Sequence, residues 1–396
     1  MSSLPTAEGA PDAPLPAAHR RTVASRIIVA SLVALSIAVA IAGVVAVLLG
    51  GMGTGEHFAG QVALFNRTTY SNSTSASDAI RFQVLALGAT ASPTLIDSIH
   101  ATDPHTKVVI YMAAVVQSTN DTAFGAGNCL PYRKGLPHGG VPSSYFLHAA
   151  DGAAVRTGGT TYWLDPSDPD VQRVCVNAMI SQARRAHADG ITLDLVDAIL
   201  NYGGEPSCPG GSAACATNPG YQAAMTSFLR HTAYQLHRHR LLLLPNIGGG
   251  SVTDTSGQTF WSLWTGLADG SIEESFASGT TQRPISASQV ASELRNIAWS
   301  EAHGKYALVN GDMPQGNARD TTYGLALMLM VAGGHSSWDI SEGCNTTCDA
   351  WLPVYTAAKR LGPPLGPYQL NGSVYSRRFQ TGTVTANVAT HMGRIP

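Results

Sequence analysis

Two segments of this 396-residue chain repeat one pattern: Asp-Gly, three further residues and an acid. They are residues 189–194 (DGITLD) and residues 269–274 (DGSIEE). Each segment is typical of a helix end, a glycine turn and a short apolar strand with a carboxylate at its far end. Burying such a carboxylate is costly unless it has a partner or a chemical role. The repeat therefore predicts an α/β chain in which Asp194 and Glu274 face one cleft.

Apolar runs alternate with helical patterns along most of the chain. The runs that predict strands are residues 61–65, 82–87, 107–113, 191–195, 241–245, 271–274, 305–310 and 335–340. The helical patterns between them are residues 76–81, 93–100, 168–187, 221–239, 260–268, 288–302 and 321–332. Buried strands separated by helices form parallel sheets, and eight of them predict a (β/α)8 TIM barrel. An open, doubly wound sheet is the alternative, but no Gly-x-Gly-x-x-Gly motif follows the first strand.

Glycines at the junctions indicate the direction of the barrel. Gly190 and Gly270 stand where a helix stops and a strand begins, as in the loops at the bottom of a barrel. Asp194 and Glu274 then lie at the top ends of the fourth and sixth strands, where barrel enzymes hold their active sites. Asp194 and Glu274 stand at equal distances in sequence from their glycines, which favours the same inward direction for both side chains. Glu273 points the other way by this alternation, although a β-bulge would exchange the two glutamates.

The first 60 residues differ in character from the rest. Residues 1–26 predict a disordered cytoplasmic tail, and residues 50–60 predict a glycine-rich linker. Residues 27–49 carry no charge and are long enough, as a helix, to span a bilayer. Arginines precede this segment and an acid follows it, so the positive-inside rule places the remaining chain outside the cytoplasm. A cleavable signal peptide is the alternative.

The remaining chain divides into a barrel and a short extension. The barrel is expected over residues 61–360. Residues 361–396 begin with a linker rich in Gly and Pro, and two alternating runs then flank Gly382. This pattern predicts a C-terminal β-hairpin extension.

Composition excludes one class of partner and favours an oxidising compartment. Only 13% of residues are charged and the formal net charge is −2, with no basic stripe that would follow phosphates, so nucleic acid is excluded as an expected partner. Proximity in sequence favours three disulfides among the six cysteines, each closing a loop. The pairs are Cys208–Cys215, Cys344–Cys348 and Cys129–Cys175. A metal site is the alternative, but no Cys-x-x-Cys knuckle supports it, and we expect no metal and no cofactor.

Paired acids at strand ends match the chemistry of glycoside hydrolysis. One carboxylate attacks or supports the anomeric carbon while a second carboxyl group protonates the leaving oxygen. The alternative for either acid is a salt-bridged residue of the barrel. Further strand-end polar groups and two aromatic rings are candidates for binding a sugar, although packing or loop contacts explain each of them as well. These candidates are Asn66, Trp163, Asp197, Asn246, Asp312, Trp338 and Asp339.

Short motifs resemble a known family. Residues 189–197 (DGITLDLVD), 245–249 (PNIGG), 269–276 (DGSIEESF) and 374–384 (VYSRRFQTGTV) are similar to blocks of the hypothetical glycosyl hydrolase family 15. More distantly, they resemble the endo-α-1,4-polygalactosaminidase family. This resemblance implies a barrel in which Asp194 is the nucleophile and Glu274 is the acid/base.

Together these features predict a membrane-anchored glycoside hydrolase that acts outside the cytoplasm on a poly- or oligosaccharide. A retaining mechanism predicts carboxyl groups ~5–5.5 Å apart, whereas inversion needs about 6.5–9.5 Å. A carbohydrate-binding barrel without catalysis is the alternative. A barrel lyase or aldolase is disfavoured, because Lys107 and Lys305 stand at the starts of their strands rather than at the ends.

Overall fold

A computed structural model describes most of the chain beyond the first 61 residues. The described ranges are 62–68, 75–118, 127–131, 133–148, 152–158, 160–200, 219–278, 284–311, 317–340 and 351–396. The predicted tail, membrane segment and linker lie outside them, as do Asp312, Cys208, Cys215, Cys344 and Cys348. Within the described ranges, none of the helices has the length and apolar character needed to cross a membrane.

Eight parallel strands close into a barrel in the described residues. They are β1 (Leu64–Thr68), β2 (Val84–Leu87), β3 (Lys107–Ala113), β7 (Gly190–Asp197), β8 (Leu242–Gly248), β9 (Gly270–Glu273), β10 (Tyr306–Gly311) and β11 (Ser336–Ile340). Around the barrel the order is β1-β11-β10-β9-β8-β7-β3-β2. This arrangement confirms the predicted TIM barrel and excludes the open sheet, because β1 pairs with both β2 and β11.

A helix follows each barrel strand. The helices are α1 (Ala76–Ala79), α2 (Pro93–Thr102), α3 (Pro169–Ala186), α4 (Pro219–Arg238), α5 (Phe260–Leu267), α6 (Ala287–Ala302), α7 (Ala318–Leu329) and α8 (Pro353–Lys359). Local sequence sets several of their starts. The Asp168 side chain accepts from two backbone N–H groups at the start of α3, and Ser286 and Gln289 form a capping box on α6. Helix α8 was not predicted.

The Asp-Gly repeat has the same structural role in both copies. Asp189 accepts from the backbone N–H that begins β3, and Asp269 accepts from the N–H of Leu243 in β8, at 2.8 and 2.9 Å. A Cβ on Gly190 would collide with the Leu242 backbone, and Gly270 is equally close to the next strand. Only glycine allows this approach, so the motif joins neighbouring strands at the bottom of the barrel.

Apolar side chains fill the barrel interior and separate its two ends. One buried cluster consists only of residues from barrel strands: Val84, Ala86, Val109, Leu244, Ile272 and Leu308. A larger cluster fills the layer between strands and helices. Side chains alternate along a strand, so the residues two positions beyond Leu244 and Ile272 return to the interior side. These residues are Asn246 and Glu274, at the top.

Additional strands lie between β3 and α3, where the sequence pattern predicts neither a strand nor a helix. Strands β4 (Val116–Ser118), β5 (Arg156–Gly158) and β6 (Thr161–Trp163) form a small antiparallel sheet in the order β4-β6-β5. A disulfide between Cys129 and Cys175 links this segment to α3. It confirms one predicted pair, while the other two remain predictions.

The C-terminal residues form a four-stranded antiparallel sheet. It consists of β12 (Gln369–Asn371), β13 (Val374–Phe379), β14 (Gly382–Asn387) and β15 (Met392–Arg394). The predicted hairpin is its centre. Arg377 donates to the carbonyl oxygens of Leu329 and Ala332 at the end of α7, at 2.9 and 2.7 Å. The extension is thus fastened to a barrel helix.

Candidate active site

A cavity of about 990 Å³ opens at the carboxyl ends of β7, β8 and β9. Its lining includes Asp194, Asp197, Asn246 and Glu274, and it continues outward along α6. The volume is at the upper end of the range for small-molecule sites. Four of the predicted site residues therefore share one cavity.

Asp194 is held by three donors. The Tyr111 hydroxyl donates to Oδ2 at 2.8 Å, and the Leu195 backbone N–H donates to Oδ1 at 2.8 Å. Leu195 has a φ of 59°, and the pairing register of β7 with β8 shifts between Leu193 and Val196. This bulge turns the backbone amide towards the carboxylate, and the unusual φ is of the kind that concentrates at functional sites.

Asn246 supplies the third donor and also reaches Glu274. Its Nδ2 lies 2.9 Å from Asp194 Oδ1 and 2.7 Å from Glu274 Oε2. Because both oxygens bond to one nitrogen, they are at most about 5.6 Å apart. Hydrogen bonds to carboxylates are among the stronger ones, so the amide holds the two acids in a defined relation.

Asp197 is the third acid of the cavity. It is only 6% exposed, and its Oδ2 has no hydrogen-bond partner in the part of the chain that the structure describes. Burial, with added repulsion from Asp194 and Glu274, raises the pKa of Asp197 to about 7. A side chain at Gly248 would collide with the Asp197 carboxyl, so the adjacent glycine makes room for it. At neutral pH this carboxyl group is therefore protonated in a substantial share of the molecules.

Glu273 points away from the acid pair, as the alternation predicts. Asn296 on α6 donates to Glu273 Oε2 at 3.4 Å. Burial, and then the nearby Glu293, hold the pKa of Glu273 well above its usual range. Burial also raises the pKa of Glu293 to about 7. These two acids form the part of the cavity wall next to α6.

Acids at the bottom of the barrel have a different environment. Asp189 and Asp269 accept from strand N–H groups and from the histidines His100 and His237. Glu301 accepts from the backbone N–H of Ser336 at 2.7 Å. Backbone partners satisfy these carboxylates, which indicates a structural role and separates them from the acids at the top.

Four other predicted site residues do not line this cavity. Trp163 and Trp338 are fully buried, and their rings pack edge-on against Tyr221 and Phe276. Neither ring has a free face for stacking on a sugar, which corrects that expectation. The remaining two residues are Asn66 and Asp339.

Asn66 is the third of five residues in β1 and therefore not at its end, and Asp339 is the fourth of five in β11. Both are buried. Asn66 donates to Ser337 Oγ at 2.9 Å, so it joins β1 to β11. This contact gives Asn66 a role in barrel closure, and neither residue is among those that line the cavity of the acid pair.

Two residues of the cavity region were missed by the sequence analysis. Tyr111 carries the hydroxyl that binds Asp194, and its signal is a polar-tipped aromatic within an otherwise apolar strand. Glu293 was one of several polar residues on a helix with a capping signal at its start. Sequence pattern alone did not distinguish it from a solvated position.

Several solved structures resemble this chain, although a search of the curated proteins finds no match. A noncanonic maltogenic alpha-amylase from Thermotoga neapolitana has 11% identity and a TM-score of 0.46, over 83% of this chain and 86% of that one. The alpha-galactosidase from Lactobacillus brevis has 12% identity and a TM-score of 0.41, over 82% and 45%. A class V chitinase from Nicotiana tobaccum has 10% identity and a TM-score of 0.36, over 63% and 66%. The chain thus spans less than half of the galactosidase.

A family profile gives the assignment. The profile of the hypothetical glycosyl hydrolase family 15 matches residues 100–383, which cover most of the barrel and part of the C-terminal sheet. The matched range includes both Asp-Gly segments and the strand ends that carry Asp194, Asn246 and Glu274. This chain belongs to that family and is a glycoside hydrolase.

Proposed function

We propose that the chain is a retaining glycoside hydrolase in which Asp194 is the nucleophile and Glu274 is the acid/base. The observation that carries this proposal is the shared amide of Asn246, which bonds to both carboxylates. Retaining enzymes hold the two groups ~5–5.5 Å apart, and inverting enzymes leave room for a water between them. The limit of about 5.6 Å between the two bonded oxygens supports retention.

The reaction proceeds in two displacements. Asp194 Oδ attacks the anomeric carbon, and the bond to the leaving oxygen breaks as Glu274 donates its proton to that oxygen. Glu274 then removes a proton from water, and the water oxygen displaces Asp194 from the anomeric carbon. After the two steps together, Glu274 is protonated again and Asp194 is a free carboxylate, and the product has the original anomeric configuration.

The neighbouring groups fit supporting roles. Tyr111 and Asn246 hold Asp194 in line for attack, and orientation of this kind contributes a large part of enzymatic rate enhancement. Asp197 lines the same cavity, and we assign it to a hydroxyl of the bound sugar. The substrate is a poly- or oligosaccharide.

We further propose that the barrel acts outside the cytoplasm and is anchored by residues 27–49. The Cys129–Cys175 disulfide supports an oxidising compartment, because cytosolic thiols are kept reduced. Fractionation of cells that produce the full chain, followed by protease treatment of intact cells, tests this. The barrel should be in the membrane fraction and be accessible from outside.

Screening of extracellular and cell-wall polysaccharides with the wild-type chain and Asp194→Asn tests the activity. The wild type should release reducing ends and Asp194→Asn should not, while NMR of the first product should show retained configuration. Binding of a polysaccharide without turnover by the wild type would instead favour the carbohydrate-binding alternative. An inverted product would overturn the proposed mechanism.

A further inference from the structure

The backbone that follows Glu274 has an unusual conformation. Ser275 and Ala277 both have a φ of 61°, although neither is glycine. Such conformations are strained for residues other than glycine and persist only where surrounding contacts impose them. The turn that carries Glu274 therefore depends on tertiary contacts.

Contacts with β10 and α6 help to hold this turn. Phe276 donates its backbone N–H to the Asn310 carbonyl oxygen of β10 at 2.9 Å, and its ring is fully buried. Ala277 donates its backbone N–H to Glu293 Oε2 at 3.0 Å. The first contact ties the turn to the next barrel strand, and the second ties it to α6. Glu293 thus connects α6 to the segment directly after Glu274.

Glu293 stands close to a second acid, which is unfavourable for a residue with only a structural role. It lies beside Glu273, and both half-buried side chains line the cavity, so two acids of like charge are close together. A like charge close by disfavours ionisation of a carboxyl group, so this pair does not by itself stabilise the fold. A glutamate at this position is therefore better explained by what its oxygen holds than by a gain in stability.

We propose that Glu293 is a positioning residue for Glu274, acting through the Ala277 N–H and the turn that this N–H fixes. The proposal rests on the assignment of Glu274 as the acid/base. Glu293 itself does not contact the substrate in this scheme. Its oxygen fixes the turn so that the Glu274 carboxyl stays within hydrogen-bond reach of Asn246 and of the leaving oxygen.

Leaving-group dependence separates positioning from a general structural role. Departure of 2,4-dinitrophenolate needs little protonation, whereas departure of phenolate needs the acid. With aryl glycosides of the sugar that the wild type cleaves, Glu293→Ala should lower kcat/KM for the phenyl glycoside roughly 10- to 100-fold. It should leave the dinitrophenyl glycoside within about 3-fold of wild type.

Glu293→Gln is the matched control, because it keeps an acceptor oxygen and is expected to restore the phenyl glycoside to near wild-type values. Glu274→Ala should show the same leaving-group selectivity as Glu293→Ala, but more strongly. If Glu274→Ala is selective and Glu293→Ala lowers both substrates equally or neither, the positioning role is overturned. If Glu274→Ala shows no selectivity, the acid/base assignment itself fails.

A crystal structure of Glu293→Ala provides a test that needs no activity. Glu274 should lose its bond to Asn246 in this variant and keep it in Glu293→Gln. A Glu274 carboxyl that stays bonded to Asn246 in Glu293→Ala contradicts the proposal, whether or not a substrate is known.

Discussion

Asn246 donates to Glu274 at 2.7 Å from the same nitrogen that donates to Asp194 at 2.9 Å. One amide on the fifth barrel strand thus sets the separation of two acids on the fourth and sixth. Its position follows from alternation, since Leu244 fills the barrel interior two residues earlier. The geometry of Asp194 and Glu274 therefore depends on Asn246, which can be mutated without altering either acid.

Asn246→Ala should lower kcat about 100-fold, because both carboxylates lose their common donor and a misplacement near 1 Å has an effect of this size. Steady-state kinetics on the polysaccharide found by screening measure this. Asn371→Ala, on an exposed strand of the C-terminal sheet, is the control and should match wild type. A normal kcat for Asn246→Ala would show that the amide does not position the acids.

Glu274→Gln should lower kcat/KM by ~10²–10⁴-fold, because the proton for the leaving oxygen is lost. Glu273→Gln should have a much smaller effect, since Glu273 contacts Asn296 on α6 instead of the Asn246 amide. The two variants control for each other, because they make the same chemical change at adjacent positions. Greater loss in Glu273→Gln would exchange the assignment of the two glutamates.

Much of this arrangement was predictable because it follows from short-range rules. Strand alternation and the glycine junctions place Asp194 and Glu274 at one end of the barrel, and all eight barrel strands were recognised. The β-bulge after Asp194 was not predictable from the sequence, because it needs a positive φ at Leu195, which leucine does not favour. The bulge arises from the pairing of neighbouring strands and not from the local sequence pattern.

The predictions that failed concern the surroundings of individual side chains. Trp163 and Trp338 have the chemistry to stack on sugars, but both are buried in this fold. Glu293 was missed for the opposite reason, since its helix has a polar sequence and its place in the cavity wall beside Glu273 comes from tertiary packing. Residue type predicted what each side chain can do, while tertiary packing decided what it contacts.

Asp197→Asn should become more stable relative to wild type as pH rises from about 4 to about 7. The folded pKa of about 7 lies above the unfolded value, so the native state binds more protons in this window and wild-type stability falls as pH rises. The difference between the two proteins should grow by at most about 4 kcal/mol.

Denaturant unfolding at several pH values measures this change, and Asp170→Asn, at an exposed site, is the control. The raised pKa values of Glu273 and Glu293 also lower the free energy of unfolding as pH rises, but they do so in both proteins. The difference between the two proteins therefore reports on Asp197. A stability difference that is constant with pH would show that Asp197 ionises normally in the folded chain.

Gly190→Ala should destabilise the barrel by about 2–4 kcal/mol, because the new Cβ would overlap the Leu242 backbone of the neighbouring strand.

Gly266→Ala is the matched control. It makes the same chemical change within α5, where a Cβ would meet its nearest neighbour, Trp299, at an ordinary 3.6 Å. Removing a helical glycine there should stabilise the protein by about 0.5–1 kcal/mol. Free energies of unfolding for both variants check this. If Gly190→Ala behaves like Gly266→Ala, the glycine of the Asp-Gly motif does not serve strand contact, and the structural explanation of the repeat is wrong.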